Sequence, residues 1–138
     1  MASAAMTRSG DRTLGFTGDV MLGRGVERLR RGDPPSVWGD LLGRLRALDG
    51  LFVNLECPLS TRGEQWTRTH RPFHFRADPE WAVPALEAAG VDCATLANNH
   101  ALDYGPRALA DTLEALSAAG IAPVGAGPDR GPPGRPSR

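Results

Sequence analysis

Polar side chains that could bind a metal ion or carry a proton follow three short apolar runs of the sequence. Gly18-Asp19 follows the first run, Asn54 and Glu56 end the second, and Asn98-Asn99-His100 ends the third. If the three runs are neighbouring parallel strands, these side chains gather at one edge, because ligands of open α/β sheets bind beyond the carboxyl ends of the strands. Carboxylates, amides and an imidazole without a thiolate suit Mg, Mn, Fe or Zn.

Such a set of side chains indicates hydrolysis at phosphorus as one candidate chemistry. A carboxylate can bridge two metal ions about 3.5–4 Å apart, and a metal pair of this kind stabilises an in-line displacement. A neighbouring histidine such as His100 could protonate the leaving oxygen if it lies within hydrogen-bond reach.

Each of these residues also has a purely structural interpretation. Asp19 could cap the segment that follows it, Glu56 could be an exposed loop carboxylate, and Asp103 could cap the next helix. The two asparagines could serve a turn, because Asn tolerates left-handed backbone. A lone histidine is more often a hydrogen-bonded structural residue than a catalytic one.

Two further features of the sequence give weaker signals. His70 and His74 lie four residues apart, but Pro72 between them argues against a helix, so we interpret them as solvated or substrate-facing. The segment GDVMLGRG (18–25) has neither the GxGxxG spacing nor the Lys-Ser/Thr pair of a phosphate-binding loop.

The elements that must position these residues alternate along the chain. The apolar patterns predict strands at 13–17, 51–55, 91–96 and 121–124. They predict a helix beginning within 20–31 and others from Ser36 to Gly50, over 79–89 with Asp78 as cap, and over 106–119. Residues 60–78 are predicted to be a polar loop with a short strand at 73–75. This alternation is typical of an α/β fold with a mainly parallel sheet.

The 138 residues suffice for one domain with one core. We expect disorder over 1–12 and an incomplete domain over 13–127, whose last strand has nothing after it to cover it. Residues 128–138 are rich in Pro, Gly and Arg and have no apolar periodicity. A natural linker, a frameshift or a truncation would each give this composition.

Charge and cysteine content bound the partners and the compartment. Sixteen acidic and sixteen basic residues give a net charge of zero, which does not support a nucleic-acid partner. Cys57 and Cys93 form no CxxC pair, so we expect free, buried thiols rather than a zinc site or a disulfide framework. No signal peptide or membrane span is evident, and we expect a cytoplasmic protein. A missing upstream anchor would instead place it at the membrane or outside the cytoplasm.

Three motifs in order, GDVMLGR (18–24), NLECPLS (54–60) and ANNHALDYG (97–105), resemble the CapA-type poly-gamma-glutamate capsule synthesis family. That family is similar in fold to the calcineurin-like metallophosphoesterases. The stretch RPFHFRADP (71–79) also resembles it, and the match runs over about 13–127. The resemblance implies a partial metallophosphoesterase-like α/β sandwich. The complete domain would have four layers, αββα, of which this chain holds roughly the first half.

Residue by residue, the resemblance implies that Asp19, Glu56 and Asn99 are metal ligands, with Glu56 bridging two divalent ions. It places His100 at the proton-donor position of the superfamily's GNH motif. Met21 stands where the superfamily usually has a further histidine ligand, and its remaining histidine ligands come from the second half of the domain. Substrate contacts are assigned to Arg24, Asn54, Asn98 and His74.

Three hypotheses of function stay open on this basis. The first is a metal-dependent hydrolase of capsule biosynthesis, with two Mn, Fe, Zn or Mg ions, an anionic small molecule or polyglutamate as substrate, and capsule-synthesis partners. The second is a non-catalytic component that holds the polymer or a partner during assembly or export. The third is an inactive fragment, because half of the expected ligands are absent from this chain.

Overall fold

The computed structural model describes residues 10–127, which form an α/β fold around a parallel four-stranded sheet. The strands follow one another across the sheet in chain order: β1 (Leu14–Val20), β2 (Gly50–Leu55), β3 (Cys93–Thr95) and β4 (Ala122–Val124). The helices between them are α1 (Arg24–Arg30), a 3-10 helix (Pro34–Leu41), α2 (Leu42–Arg46), α3 (Pro79–Ala89) and α4 (Gly105–Ala118). The predicted fold class is therefore confirmed. The predictions for 1–9 and for the tail at 128–138 concern residues outside the described part.

The helices cover one face of the sheet. Right-handed crossovers between parallel strands that advance in one direction place all their helices on the same side. Helix α3 packs against the 3-10 helix, α2 and α4 within this layer. The core between the layer and the sheet is made of buried aliphatic side chains, including Leu51, Val53, Leu55, Ala85, Leu86 and Leu116.

The opposite face of the sheet is uncovered within residues 10–127. Phe16 stacks on Phe52 with ring centroids 4.9 Å apart, yet 75% of Phe16 is exposed. Leu14 and Val124 are also exposed apolar residues of the edge strands. In the four-layer sandwich that the family resemblance implies, a second sheet covers this face.

The single helix predicted from Ser36 to Gly50 is wrong. Gly39 has φ 51° and ψ −137°, and this residue with a left-handed φ kinks the 3-10 helix internally, before the short helix α2 begins at Leu42. Ser36, the N-cap that the sequence offers for this helix, instead donates its hydroxyl hydrogen to the Asp33 carbonyl at 2.6 Å and caps no helix. The spacing of the leucines is helical, but it carries no information about the backbone of Gly39.

The short strand predicted at 73–75 is also wrong, and β3 is shorter than the predicted 91–96. The loop between β2 and α3 forms a single parallel bridge between Leu59 and Ala77 instead. In this bridge the Ser60 amide donates to the Ala77 carbonyl, and the Ala77 amide donates to the Pro58 carbonyl, both at 3.0 Å. The bridge ties the two ends of the loop together and leaves its middle free to lie beside the carboxyl edge of the sheet.

Helix α3 has the predicted bounds. The Asp78 carboxylate accepts from the Glu80 amide at 2.9 Å, and Pro79 takes the first helical position. Gly90 ends the helix in the left-handed conformation with φ 75°. Pro84 lies inside the helix on its exposed side without ending it.

The two cysteines are free, as predicted, but only one of them is buried. The Cys57 sulphur accepts from the Leu22 amide at 3.4 Å, and burial raises the pKa of its thiol to about 12. Cys93 is half-buried and lies on the uncovered face of the sheet, which is a correction to the expected burial. None of the helices within residues 10–127 combines the length and the hydropathy needed to cross a bilayer.

Candidate functional site

Hydrogen bonds join the carboxyl ends of the first three strands. A register shift after Phe16 brings Asp19 opposite Asn54 across β1 and β2. The Asn54 amide donates to the Asp19 carboxylate at 2.7 Å, and the Asn98 amide donates to the Asn54 side-chain oxygen at 3.0 Å. The three segments singled out in the sequence therefore meet at one edge of the sheet. We call the set formed by Asp19, Asn54, Glu56, Asn98, Asn99 and His100 the strand-end site.

Asn98 shapes the turn that follows β3. Its side-chain amide also donates to the Leu55 carbonyl at 2.9 Å, and its side-chain oxygen accepts from the His100 amide at 3.0 Å. These bonds fasten the turn to the end of β2, so that Asn99 and His100 follow at a determined position. The turn-forming interpretation of Asn98 matches this geometry, and its contact with a substrate stays a prediction.

The candidate metal ligands are hard oxygen donors. Asp19 is exposed, and it does not cap α1, whose N-cap is Gly23 without a side-chain bond. The Glu56 amide donates to the Val20 carbonyl at 3.0 Å, so the strand pairing extends one residue beyond β2. Because side chains alternate along a strand, the Glu56 carboxylate lies on the same face as Asn54. The Asn99 side chain is exposed.

These donors fit a divalent metal ion in kind, since carboxylate and amide oxygens are ligands of Mg, Mn and Ca. Two carboxylates and one amide are too few for a closed site of two ions. Within residues 10–127, no group of three or more His, Cys, Asp and Glu side chains is arranged to hold a metal ion. A complete binuclear site would need ligands in addition to the strand-end site.

Met21 occupies the position at which the resemblance to the metallophosphoesterases would place a histidine. Its sulphur accepts from the Gly23 amide at 3.1 Å, and the side chain packs against the core. A thioether is a soft ligand and does not suit the metals that prefer oxygen donors. The structure therefore offers no replacement for that histidine at this position.

Arg24 lies next to this turn with a strained backbone. Its φ of 56° is left-handed, which is uncommon for a residue with a side chain. Gly23 is needed before it, because a Cβ there would approach the Arg76 carbonyl oxygen to 2.2 Å. The Arg24 guanidinium lies 5.6 Å from the ring centroid of Phe73 and 5.8 Å from that of Phe75. These cation–π contacts hold an exposed positive charge beside the loop that reaches His100.

His100 is largely buried at the end of the turn, with 14% of its side chain exposed. Its ring is tilted against Phe75 with centroids 4.2 Å apart. It lines a cavity of about 390 Å³ together with Thr69, His70, Arg71, Pro72, Phe73 and Asn99. The cavity places a substrate-sized space next to the imidazole.

Asp103 is a buried carboxylate rather than a helix cap. Helix α4 has Tyr104 as its N-cap and no side-chain cap bond, so the capping interpretation of Asp103 is wrong. Its Oδ2 lies 2.6 Å from His100 Nδ1 and accepts from the Phe75 amide at 2.7 Å, and its Oδ1 accepts from Arg71 at 2.8 Å.

Sequence reasoning assigned no role to Arg71. Its guanidinium also donates to the Asn99 carbonyl, so it contacts both ends of the segment that holds His100. Asp103 could have been found from its spacing of three residues from His100. Arg71 opens the stretch RPFHFRADP that resembles the family, but no sequence signal connected it with His100, which lies far away along the chain.

His74 is engaged within its own loop. Its Nδ1 lies 2.8 Å from the Gln65 side-chain nitrogen, and its Nε2 lies 2.8 Å from the Trp66 carbonyl oxygen. These bonds stabilise the loop, and the assignment of His74 to substrate binding stays a prediction. His70, by contrast, is exposed and lines the cavity beside His100.

Comparison with known proteins finds similarity over most of the chain. The family model described as bacterial capsule synthesis protein PGA_cap matches residues 13–137. A probable polyglutamine synthesis accessory protein of Mycobacterium tuberculosis (strain ATCC 25618 / H37Rv) is 37% identical over an alignment of 146 positions, gaps included, which covers 81% of this chain and 38% of the relative.

Two Bacillus proteins are also similar. The capsule biosynthesis protein CapA of Bacillus anthracis is 32% identical, covering 83% of this chain and 28% of its own length. The PGA biosynthesis protein CapA of Bacillus subtilis (strain 168) is 31% identical, covering 81% of this chain and 29% of its own length. The chain thus spans well under half the length of the relatives that it matches.

Proposed function

The chain belongs to the PGA_cap family of bacterial capsule synthesis proteins, and on this basis we propose that the complete protein acts in the biosynthesis of a polyglutamate polymer. Its relatives carry names of this kind, for polyglutamine synthesis, PGA biosynthesis and capsule biosynthesis. We further propose that its activity is metal-dependent hydrolysis of the metallophosphoesterase type.

The observation that supports hydrolysis is the hydrogen-bonded strand-end site. The bonds from Asn54 to Asp19 and from Asn98 to Asn54 bring two carboxylate-bearing strand ends to the turn that holds His100. Asp19, Glu56 and Asn99 would hold a divalent ion such as Mn, Fe, Zn or Mg, and a complete centre would draw further ligands from outside the strand-end site. Bound metal would polarise the substrate and make a nucleophile available at neutral pH.

His100 would donate a proton to the leaving oxygen. General acid catalysis of this kind requires a group within hydrogen-bond reach of the leaving atom, and His100 lines the cavity that would receive it. Arg24 lies over the Phe73 ring, and Arg71 lines the cavity with Phe73 and His100. Both arginines would attract an anionic small molecule or a polyglutamate chain. The charged groups of this region, rather than the net charge of the chain, would select the substrate.

His100→Ala in the complete protein tests this proposal. We expect kcat for bis(p-nitrophenyl) phosphate with Mn²⁺ to fall by about 10²-fold or more, because the variant lacks the proton donor. The measurement is steady-state hydrolysis by the metal-loaded enzyme, with bound metal determined by elemental analysis.

His70→Ala is the matched control, since it removes an imidazole from the same cavity without touching the strand-end site. We expect it to change KM and to leave kcat near the wild-type value. A complete wild-type protein with neither bound metal nor phosphoesterase activity would contradict the proposed hydrolysis.

A second candidate function is a non-catalytic component that holds the polymer or an assembly partner in the same cleft. The hydrogen-bonded Met21 in place of a histidine ligand favours it. The test is polymer production by cells whose complete protein carries His100→Ala. Unchanged production would support the non-catalytic role, and lost production with normal protein levels would support hydrolysis.

We expect the 138-residue chain by itself to take up little metal. The strand-end site offers two carboxylates and one amide, which are too few donors for two tightly held ions. Isothermal titration of the chain with Mn²⁺ and Zn²⁺ checks this expectation, with Asp19→Asn as the comparison variant. Two tight sites in the isolated chain, lost in the variant, would show that the described residues already form a complete centre.

A further inference from the structure

Asp103 is the most enclosed charged group beside the cavity. The residue is fully buried, and each carboxylate oxygen faces a donor from a different part of the chain. Arg71 donates to Oδ1, while the Phe75 amide and the His100 ring approach Oδ2. A buried carboxylate is retained at low cost only when its oxygens are paired in this way.

The donor and acceptor capacities of these groups determine where the proton of His100 lies. The guanidinium of Arg71 and the backbone amide of Phe75 can only donate, so Asp103 serves both as an acceptor. An ionised carboxylate has no hydrogen to offer, and the 2.6 Å contact therefore requires the hydrogen to be on His100 Nδ1. Nε2 is then the ring nitrogen left for the cavity.

We propose that Asp103 is a positioning residue for His100, which holds the imidazole as the Nδ1–H tautomer and directs Nε2 into the cavity. The catalytic meaning of this arrangement rests on the proposed hydrolysis. In that reaction the protonated ring would release the Nε2 hydrogen to the leaving oxygen and become neutral. Nδ1 would keep its hydrogen throughout and would donate it to Asp103, so the ring would not need to reorient.

Asp103 also contributes to the structure of the loop before α3. The Trp66 amide donates to the Asp103 carbonyl at 2.8 Å, in addition to the contacts of the side chain with Arg71 and Phe75. A residue that only anchored this loop would leave the tautomer of His100 unspecified. Asp103 could therefore orient the imidazole or only anchor the loop, and the nitrogen that carries the His100 ring hydrogen distinguishes these two roles.

The first experiment is nitrogen-15 NMR of the imidazole side chains in the wild-type 138-residue chain, at an alkaline pH where the rings are neutral. For His100 we expect a pyrrole-type shift at Nδ1 and a pyridine-type shift at Nε2. Free histidine in water favours the opposite tautomer. A pyridine-type Nδ1 in folded wild-type protein would overturn the proposal, and this measurement does not depend on any variant.

Asp103→Asn provides the second measurement. An amide can turn its NH₂ group towards the ring, so we expect the His100 population to shift towards the Nε2–H tautomer. Asp111→Asn is the matched control, because Asp111 also pairs with an arginine but lies away from His100. A folded Asp103→Asn protein with unchanged His100 shifts would count against positioning, whereas unchanged shifts in Asp111→Asn are expected.

In the complete protein we expect Asp103→Asn to lower kcat while KM stays near the wild-type value. Equal kcat in the variant and the wild type would also overturn the positioning role. If the wild-type enzyme shows no hydrolysis, the proposed function fails, and the tautomer seen by NMR still decides whether Asp103 orients His100.

Discussion

At the scale of single residues, Asn98 and Asp103 show how polar side chains hold the other groups of the candidate site in position. Asn98 uses both amide hydrogens and its side-chain oxygen to connect β2 with the turn of His100. Asp103 connects the loop with the imidazole, because its carboxylate accepts from the Phe75 amide and contacts the His100 ring. Such bonds hold Asn99 and His100 in place, because a buried polar group that lost its partner would be costly.

Asp111 gives a pH-dependent prediction at this scale. The hydrogen bond from Arg62, and then that from Ser60, lower the pKa of the Asp111 carboxyl in the folded protein. A group with a lowered folded pKa stabilises the protein fully above its unfolded pKa of about 3.9 and loses this contribution as the pH falls through the folded value. We expect the stability difference between wild type and Asp111→Asn to be largest near neutral pH and to shrink below about pH 4.

Urea unfolding between neutral and acidic pH measures this difference. Glu87→Gln is the control, since Glu87 is an exposed carboxylate of α3. A wild-type advantage over Asp111→Asn that stayed constant down to the lowest pH would contradict the expectation.

At the scale of elements, the ends of strands and helices decide where the functional groups lie. The bulge after Phe16 sets Asp19 opposite Asn54, and the single bridge between Leu59 and Ala77 closes the loop that borders His100. Helix α3 begins at this bridge, so its capped end also fixes where the loop returns. The helix cap and the bulge thus determine the positions of residues in the site, although they lie outside it.

The cap of α3 can be tested by Asp78→Ala. The variant loses the bond to the Glu80 amide and the ion pair with Arg31, whose Nη2 lies 2.6 Å from Asp78. We expect a loss of about 1 kcal/mol from the cap alone. Asp78→Asn keeps an acceptor for the amide while removing the charge, and we expect it to be less destabilised.

Thermal and urea unfolding of the three proteins separate these two contributions. Equal losses in Asp78→Ala and Asp78→Asn would show that the ion pair, and not the cap, carries the stability.

At the scale of the whole molecule, residues 10–127 cover the sheet on one face and leave the other face bare. The helices seal the face that carries Leu51, Val53 and Leu55, whereas Phe16 remains exposed on the other. Exposed apolar surface of this kind mediates association with other protein surfaces. The candidate site lies at the carboxyl edge of the same sheet. A protein surface that packed on the bare face would therefore also lie close to the site.

Phe16→Ser and Leu55→Ala should therefore affect the chain in different ways. Leu55 is fully buried, and its truncation should cost about 2–5 kcal/mol through the cavity that it leaves. We expect the exposed Phe16 to promote self-association of the chain. Phe16→Ser should therefore reduce self-association, and it should cost about 0.5–1.5 kcal/mol from the lost ring pair. Urea unfolding and sedimentation velocity check the two effects, and undiminished self-association of Phe16→Ser would refute the second.

The sequence by itself determined the order of the elements, the bounds of α3, the parallel sheet and the meeting of its strand ends. These features depend on local signals, such as the Asp78 and Gly90 caps and the apolar runs before Asp19, Asn54 and Asn98. The family followed from the same motifs, because each is a short continuous segment.

Only the tertiary structure decided the left-handed break at Gly39 and the grouping of Arg71, Phe75 and Asp103 around His100. Helical spacing describes side chains and not the backbone angles of a glycine, so the break had no signal in the pattern of leucines. The grouping joins residues about 30 positions apart through a polar loop. Its geometry depends on how that loop packs against the edge of the sheet, which no local propensity encodes.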